Sequence, residues 1–217
     1  MNIGLIFDMD GVIVDNHLFH FKSWQVLCQK YGKPLDETHY REQLNGRTLG
    51  EVVKFIFNEP MDEDRVREIG HEKEALYRTL YQPYIKPLSG LLKILSHAER
   101  AGIPMVIGTS APKENVTFTM NGTGIRHYFK HVLDDRAVTN GKPDPEIYLK
   151  CAAEINREND HCVVFEDAVS GLKAGRAAGS KTIALTTSHD QSELDADLII
   201  DDFNQINLEQ IVSLIGK

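Results

Sequence analysis

Residues Ile3–Phe7 form an unbroken apolar run that ends abruptly in Asp8-Met9-Asp10-Gly11. A run of this length without polar alternation suits a strand covered on both faces, as in a parallel sheet. In open α/β sheets, ligand-handling groups gather beyond the carboxyl ends of the strands. That places Asp8 at a strand end and Asp10 on the following loop, where Gly11 allows a tight turn. Two carboxylates at the start of one loop can hold a hard cation through oxygen ligands. Asp and Gly are also ordinary turn residues, so a functional reading needs partners elsewhere in the chain.

From Pro87 onward strands and helices alternate. Helix Leu91–Arg100 precedes strand Pro104–Gly108, and a helix over 114–121 stopped by Gly122 precedes strand His131–Leu133. A helix after Pro145, strand Cys162–Phe165, helix Ser170–Ala178, strands Lys181–Leu185 and Leu198–Ile200, and a terminal helix over 205–215 complete the pattern. The alternation predicts a doubly wound parallel α/β sheet. Residues 16–83 read differently, as helices only. The first carries Leu18, Phe21, Trp24, Val26, Leu27 and Cys28; others are expected over 36–44, 49–57 and 62–81. Thr48-x-x-Glu51 has the form of a capping box, and Val66, Ile69, Leu76 and Leu80 mark the inner side of the long helix. The expected organisation is an α/β core from 1–15 and 84–217 with an all-helical insert over 16–83.

The 217 residues carry 24 basic and 32 acidic side chains, a formal charge of −8. That balance disfavours a broad nucleic-acid or anionic-membrane surface but leaves room for a small anionic ligand met by local cations. Three cysteines, Cys28, Cys151 and Cys162, fit no zinc spacing and read as buried free thiols. No apolar stretch approaches the ~20 residues of a membrane span. The expectation is a cytoplasmic monomer acting on a small metabolite, with no nucleic-acid or membrane partner.

Four polar positions fall at or just beyond predicted strand ends: Asp8/Asp10, Ser110, Lys142 and Glu166/Asp167. Each has an ordinary structural alternative: Ser110 as a helix cap, Lys142 as a solvated loop lysine, Glu166-Asp167 as the start of a helix. Together on one rim they suit phosphoryl transfer, which needs an in-line nucleophile, a cation and donors for the remaining oxygens. Asp8 can attack phosphorus. Asp10 can protonate the leaving oxygen and later deprotonate water. Asp167, with or without Glu166, can complete a Mg²⁺ site with Asp8. Lys142 offsets the crowded negative charge, and Ser110 can donate to a phosphate oxygen.

Asp8-Met9-Asp10-Gly11, Thr109-Ser110, Gly141-Lys142-Pro143-Asp144-Pro145 and Glu166-Asp167 are spaced like the four motifs of the haloacid dehalogenase superfamily. The chain resembles its β-phosphoglucomutase and phosphatase branch, whose Rossmann-like core carries a helical cap inserted after the first motif. The resemblance implies Asp8 as nucleophile, Asp10 as acid/base, and Mg²⁺ held by Asp8, the Asp10 carbonyl and Asp167. Dehalogenases proper lack the second aspartate, so Asp10 points to phosphate substrates. His17, His20, Trp24, Gly46, Arg47, Thr48 and Lys73 in the insert, and Ala111 beside Ser110, are the candidates for substrate contact. Trp24 and His20 also read as part core and part hinge, and Lys73 also reads as an exposed lysine on a charged helix. The related mutases use Ser-Lys-Asn after the second motif; here the run is Pro112-Lys113-Glu114. Proline has no hydroxyl or N–H, and a glutamate facing phosphate repels it. The expected activity is therefore hydrolysis of a small phosphomonoester through an aspartyl-phosphate, with a phosphosugar mutase, a pyrophosphatase and a non-catalytic phosphate sensor as alternatives.

Overall fold

The computed structural model describes residues 2–38, 40, 44 and 49–215, which fall into two compact units, 1–15 with 85–217, and 16–84. In the first, β1 (Gly4–Phe7), β2 (Met105–Gly108), β3 (His131–Leu133), β4 (Cys162–Glu166), β5 (Lys181–Leu185) and β6 (Leu198–Ile200) form one parallel sheet in the order β3-β2-β1-β4-β5-β6. Strand order reverses between β1 and β4, where a doubly wound sheet opens a crevice beyond its carboxyl edge. Asp8 directly follows β1, and Glu166 is the last residue of β4.

Period-two alternation divides each central strand between two faces. Phe7 of β1 stacks on Phe165 of β4 at 4.6 Å and meets Phe129 edge-on at 5.7 Å. The other face presents Ile6, Val106 and Val164 to Ile147, Tyr148 and Cys151 of a helix over Glu146–Glu154, and to Ala174 of a helix over Val169–Ala177. All three cysteines are buried free thiols.

The second unit holds α1 (His17–Lys30), α2 (Leu49–Phe57) and α3 (Glu63–Tyr81). Trp24, Leu27, Cys28, Val52, Val53, Phe57, Val66 and Ile69 form its core. Asp62 caps α3 by accepting from Arg65 N. Along the remaining chain come α4 (Leu91–Arg100), α5 (Lys113–Thr123), α6 (Glu146–Glu154), α7 (Val169–Ala177) and α8 (Leu208–Ser213). Among the described residues no helix is long and apolar enough to cross a membrane.

Several expectations change. Leu18 and Val26 are exposed, because Phe21, Trp24 and Cys28 define the inner stripe of α1 and Val26 points to its far side. Leu76 and Leu80 are only half-buried; the inner stripe of α3 instead runs through Val66, Ile69, Gly70, Lys73, Glu74, Tyr77 and Tyr81. Helix α5 passes Gly122 and stops at Gly124, whose φ of 69° ends it in the left-handed region. The terminal segment is a 3₁₀ turn over Phe203–Gln205 followed by the shorter α8, started by an Asn207/Gln210 capping box. Part of the helix expected over 36–44, and Thr48 of the proposed capping box, lie outside the described residues.

Candidate active site

Lys142 is the centre of the rim. Its ammonium donates to Asp8 Oδ1 at 2.5 Å, Glu166 Oε1 at 2.7 Å and the Gly108 carbonyl at 3.3 Å. Three hydrogens meet three acceptors. The Lys142 side chain is 8% exposed, so it is not a solvated loop lysine. Burial opposes its charge, but Asp8 and Glu166 outweigh burial and hold it firmly protonated.

Glu166 is equally engaged. Oε1 accepts from Lys142 and from the Tyr148 hydroxyl at 2.7 Å, and Oε2 accepts from Asp167 N at 2.9 Å and Ala168 N at 3.0 Å. Four donors occupy a carboxylate that offers about four acceptor sites. Glu166 belongs to β4 and α7 begins at Val169, so the Glu166-Asp167 pair does not start the helix.

Asp8, Glu166 and Asp167 are all buried, and one carboxylate oxygen from each lies within 4.8 Å of the others. Burial raises the Asp8 carboxyl well above the usual carboxylate range. Lys142 pulls it down, while Glu166, Asp167 and Asp10 push it up further. A donor set of hard oxygens carrying more negative charge than Lys142 can balance fits a hard divalent cation.

Asp10 is half-buried on the loop after β1, where Gly11 takes a φ of 76° and its N–H donates to the Val14 carbonyl at 2.8 Å. Ser110 is exposed just beyond β2, between buried Thr109 and Ala111. Pro112 occupies the N-cap of α5 and supplies no side-chain bond, so Ser110 does not cap that helix.

His20, Trp24 and Lys73 lie in the helical unit. Lys73 is 3% exposed; its ammonium is 2.8 Å from Glu74 Oε1 and 2.7 Å from His20 Nδ1. The exposed-lysine alternative therefore fails. His20 stacks on Tyr77 at 4.0 Å, and burial followed by the Lys73 and His17 charges holds its imidazole well below its usual pKa. Trp24 is core, at 3% exposure. Gly46, Arg47 and Thr48 lie outside the described residues.

The model of the haloacid dehalogenase-like hydrolase family matches residues 5–185. The chain belongs to that family. This haloacid dehalogenase-like hydrolase is 32% identical over 181 residues to the fructose-1-phosphate phosphatase YqaB of Escherichia coli, covering 83% of this chain and 94% of that protein. Among solved structures it is similar to a family IA, variant 3 hydrolase of Entamoeba histolytica, with a TM-score of 0.93, 29% identity and coverage of 99% and 100% of the two chains. It is also similar to a β-phosphoglucomutase of Clostridium difficile, with a TM-score of 0.87, 26% identity and coverage of 100% and 98%.

Sequence reasoning missed two residues that shape the hydrolase's site. No sequence motif marks Tyr148, and its bond to Glu166 depends on the fold. Gly171 is the other: a Cβ there would stand 1.7 Å from Glu166 Oε1. Gly171→Ala is expected to displace the Glu166 carboxylate, loosen Lys142 and lower the hydrolytic rate by about tenfold or more. Unchanged kcat in this variant would show that Glu166 need not sit where it does.

Proposed function

We propose that this hydrolase cleaves a small phosphomonoester, a sugar phosphate or similar metabolite, through an aspartyl-phosphate on Asp8. The buried set of Asp8, Glu166 and Asp167, with Lys142 bridging the first two, carries the reading. Asp8 attacks phosphorus in line, forming a P–O bond while the ester P–O bond breaks. Asp10 delivers a proton to the departing alkoxide, then takes one from the water that attacks the acyl phosphate, and phosphate leaves Asp8 as the carboxylate. Ser110 donates to a phosphoryl oxygen. Lys142 holds Asp8 in its attacking orientation and offsets charge as the phosphoryl group approaches. Glu166, saturated by protein donors, positions Lys142. Asp8, Asp167 and the Asp10 carbonyl would hold Mg²⁺, which when bound neutralises charge on the phosphoryl oxygens.

The likeness to a fructose-1-phosphate phosphatase supports a sugar phosphate as substrate. Glu114, exposed in the first turn of α5, supports hydrolysis over mutase action, since a mutase must hold a second phosphate. The insert over 16–84 is assigned the role of a cap.

Purified protein with Mg²⁺ is expected to release inorganic phosphate from a panel containing fructose 1-phosphate, glucose 1-phosphate, polyol phosphates and p-nitrophenyl phosphate. Isomerisation of glucose 1-phosphate without net phosphate release would establish a mutase instead. Turnover confined to pyrophosphate would establish a pyrophosphatase. No turnover, with a phosphate ligand still raising the Tm, would establish a sensor.

A further inference from the structure

The loop after β5 reaches back to both acidic loops. Thr187 Oγ1 donates to the Gly11 carbonyl at 2.7 Å and lies 3.4 Å from Asp167 Oδ2. Ser188 Oγ donates to the Asp167 carbonyl at 2.7 Å. His189 Nδ1 lies 2.7 Å from Ser188 Oγ and 3.1 Å from the same Asp167 carbonyl.

Hydrogen counting fixes the direction of these bonds. A carbonyl only accepts, and each hydroxyl has one hydrogen. With the Ser188 hydrogen on the Asp167 carbonyl, both His189 contacts require a hydrogen on Nδ1. With the Thr187 hydrogen on the Gly11 carbonyl, Thr187 meets the Asp167 carboxylate through its own oxygen, a contact that limits where Oδ2 can go. The loop is itself anchored on either side. Thr186 Oγ1 donates to Asp201 Oδ1 at 2.6 Å, and Asp190 and Glu193 close a capping box behind His189.

Gly11 has no side chain by which neighbours can hold it, and its backbone is in the left-handed region. Its position is set through its own N–H and C=O, and Thr187 supplies the donor for the latter. Two adjacent hydroxyls, Thr187 on the Gly11 carbonyl and Ser188 on the Asp167 carbonyl, thus tie the chain directly after Asp10 to the chain that carries Asp167.

We propose that Thr187 and Ser188 are positioning residues for cation binding: they lock the Asp8–Gly11 loop and the Asp167 loop at the separation in which their oxygens share one ion. This rests on the proposed Mg²⁺ site. Partners of this kind, one shell outside the ligands, typically change metal affinity by about 10–100-fold when removed.

Mn²⁺, another hard octahedral oxygen-seeking cation, is the probe, with the free ion measured by EPR in the absence of substrate. Thr187→Val keeps the shape and removes the hydroxyl; it is expected to bind Mn²⁺ at least about tenfold more weakly than wild type, with the fold retained and the metal-free Tm lowered by no more than the loss of one donor to the Gly11 carbonyl explains. Thr187→Ser restores the hydroxyl and is expected to restore the affinity. Ser188→Ala is expected to weaken binding as well, and it decides the matter should Thr187→Val not fold. Wild-type affinity in Thr187→Val, or in Ser188→Ala where that variant decides, overturns the positioning role and leaves the Mg²⁺ site standing. Absence of Mn²⁺ binding by the wild type overturns both.

Discussion

Asp8→Asn is expected to remove turnover while leaving the protein folded. Replacing a covalent nucleophile typically costs about four orders of magnitude or more in kcat, because asparagine cannot form the acyl phosphate. The fold has no reason to suffer. Asparagine keeps an oxygen for the Lys142 bond, and Asp8 is a buried carboxylate whose charge is disfavoured by burial and by three acidic neighbours. Removing that charge relieves repulsion, so the metal-free variant is expected to melt at or above the wild-type Tm. This opposition between function and stability is common where active sites concentrate charge. Two measurements check it: phosphate release, and calorimetric Tm in chelator. Equal activity of Asp8→Asn and wild type would remove Asp8 as nucleophile. Asp10→Asn provides the contrast, since acid–base assistance contributes about 10²–10⁴-fold and Asp8 remains able to accept phosphate from an activated donor.

Lys142→Ala has the opposite signature, with both quantities falling. The substitution strands Asp8 and Glu166, both under 10% exposed, without their shared cation. Breaking one side of a buried ion pair typically costs about 3–5 kcal/mol. In a domain of this size each kcal/mol shifts the Tm by about 2–4 °C, so a drop of ~6–20 °C is expected. Activity is expected to fall by about 10²–10³-fold, the usual effect of losing one charge-stabilising donor. Lys142→Arg separates the two effects. It retains the charge, but its planar fork does not match three acceptors arranged around a single ammonium, so more stability than activity should survive. A Lys142→Ala protein as stable as wild type would mean that solvent already satisfies the two carboxylates.

The strands were legible as short apolar runs between turn residues: β3, β5 and β6 match their expected bounds, β1 and β2 start one residue late, and β4 runs one residue further, to Glu166. Helix limits were legible where local chemistry sets them, as in α4. They were misread where a neighbour decides. Gly122 looked like a stop, yet it lies inside α5 with Ile85 packed against the place a Cβ would occupy. Lys73 followed the same logic. Nothing local distinguishes it from an exposed lysine on a charged helix; its burial follows from the His20 and Glu74 groups that receive it.

Sequence alone therefore determined the order of the elements, the helical insert and the identity of the chemical groups at the strand ends, since those depend on residues a few positions apart. Only the tertiary structure decided which acceptors Lys142 takes, that Glu166 is filled by donors from Lys142, Tyr148 and its own loop, and that Thr187 and Ser188 reach the two acidic loops. Lys142 and Asp8 are 134 positions apart, and Thr187 and Gly11 are 176 apart. Hydrogen bonds act over about 3 Å, and nothing in the chain order records which groups the folded sheet brings within that distance.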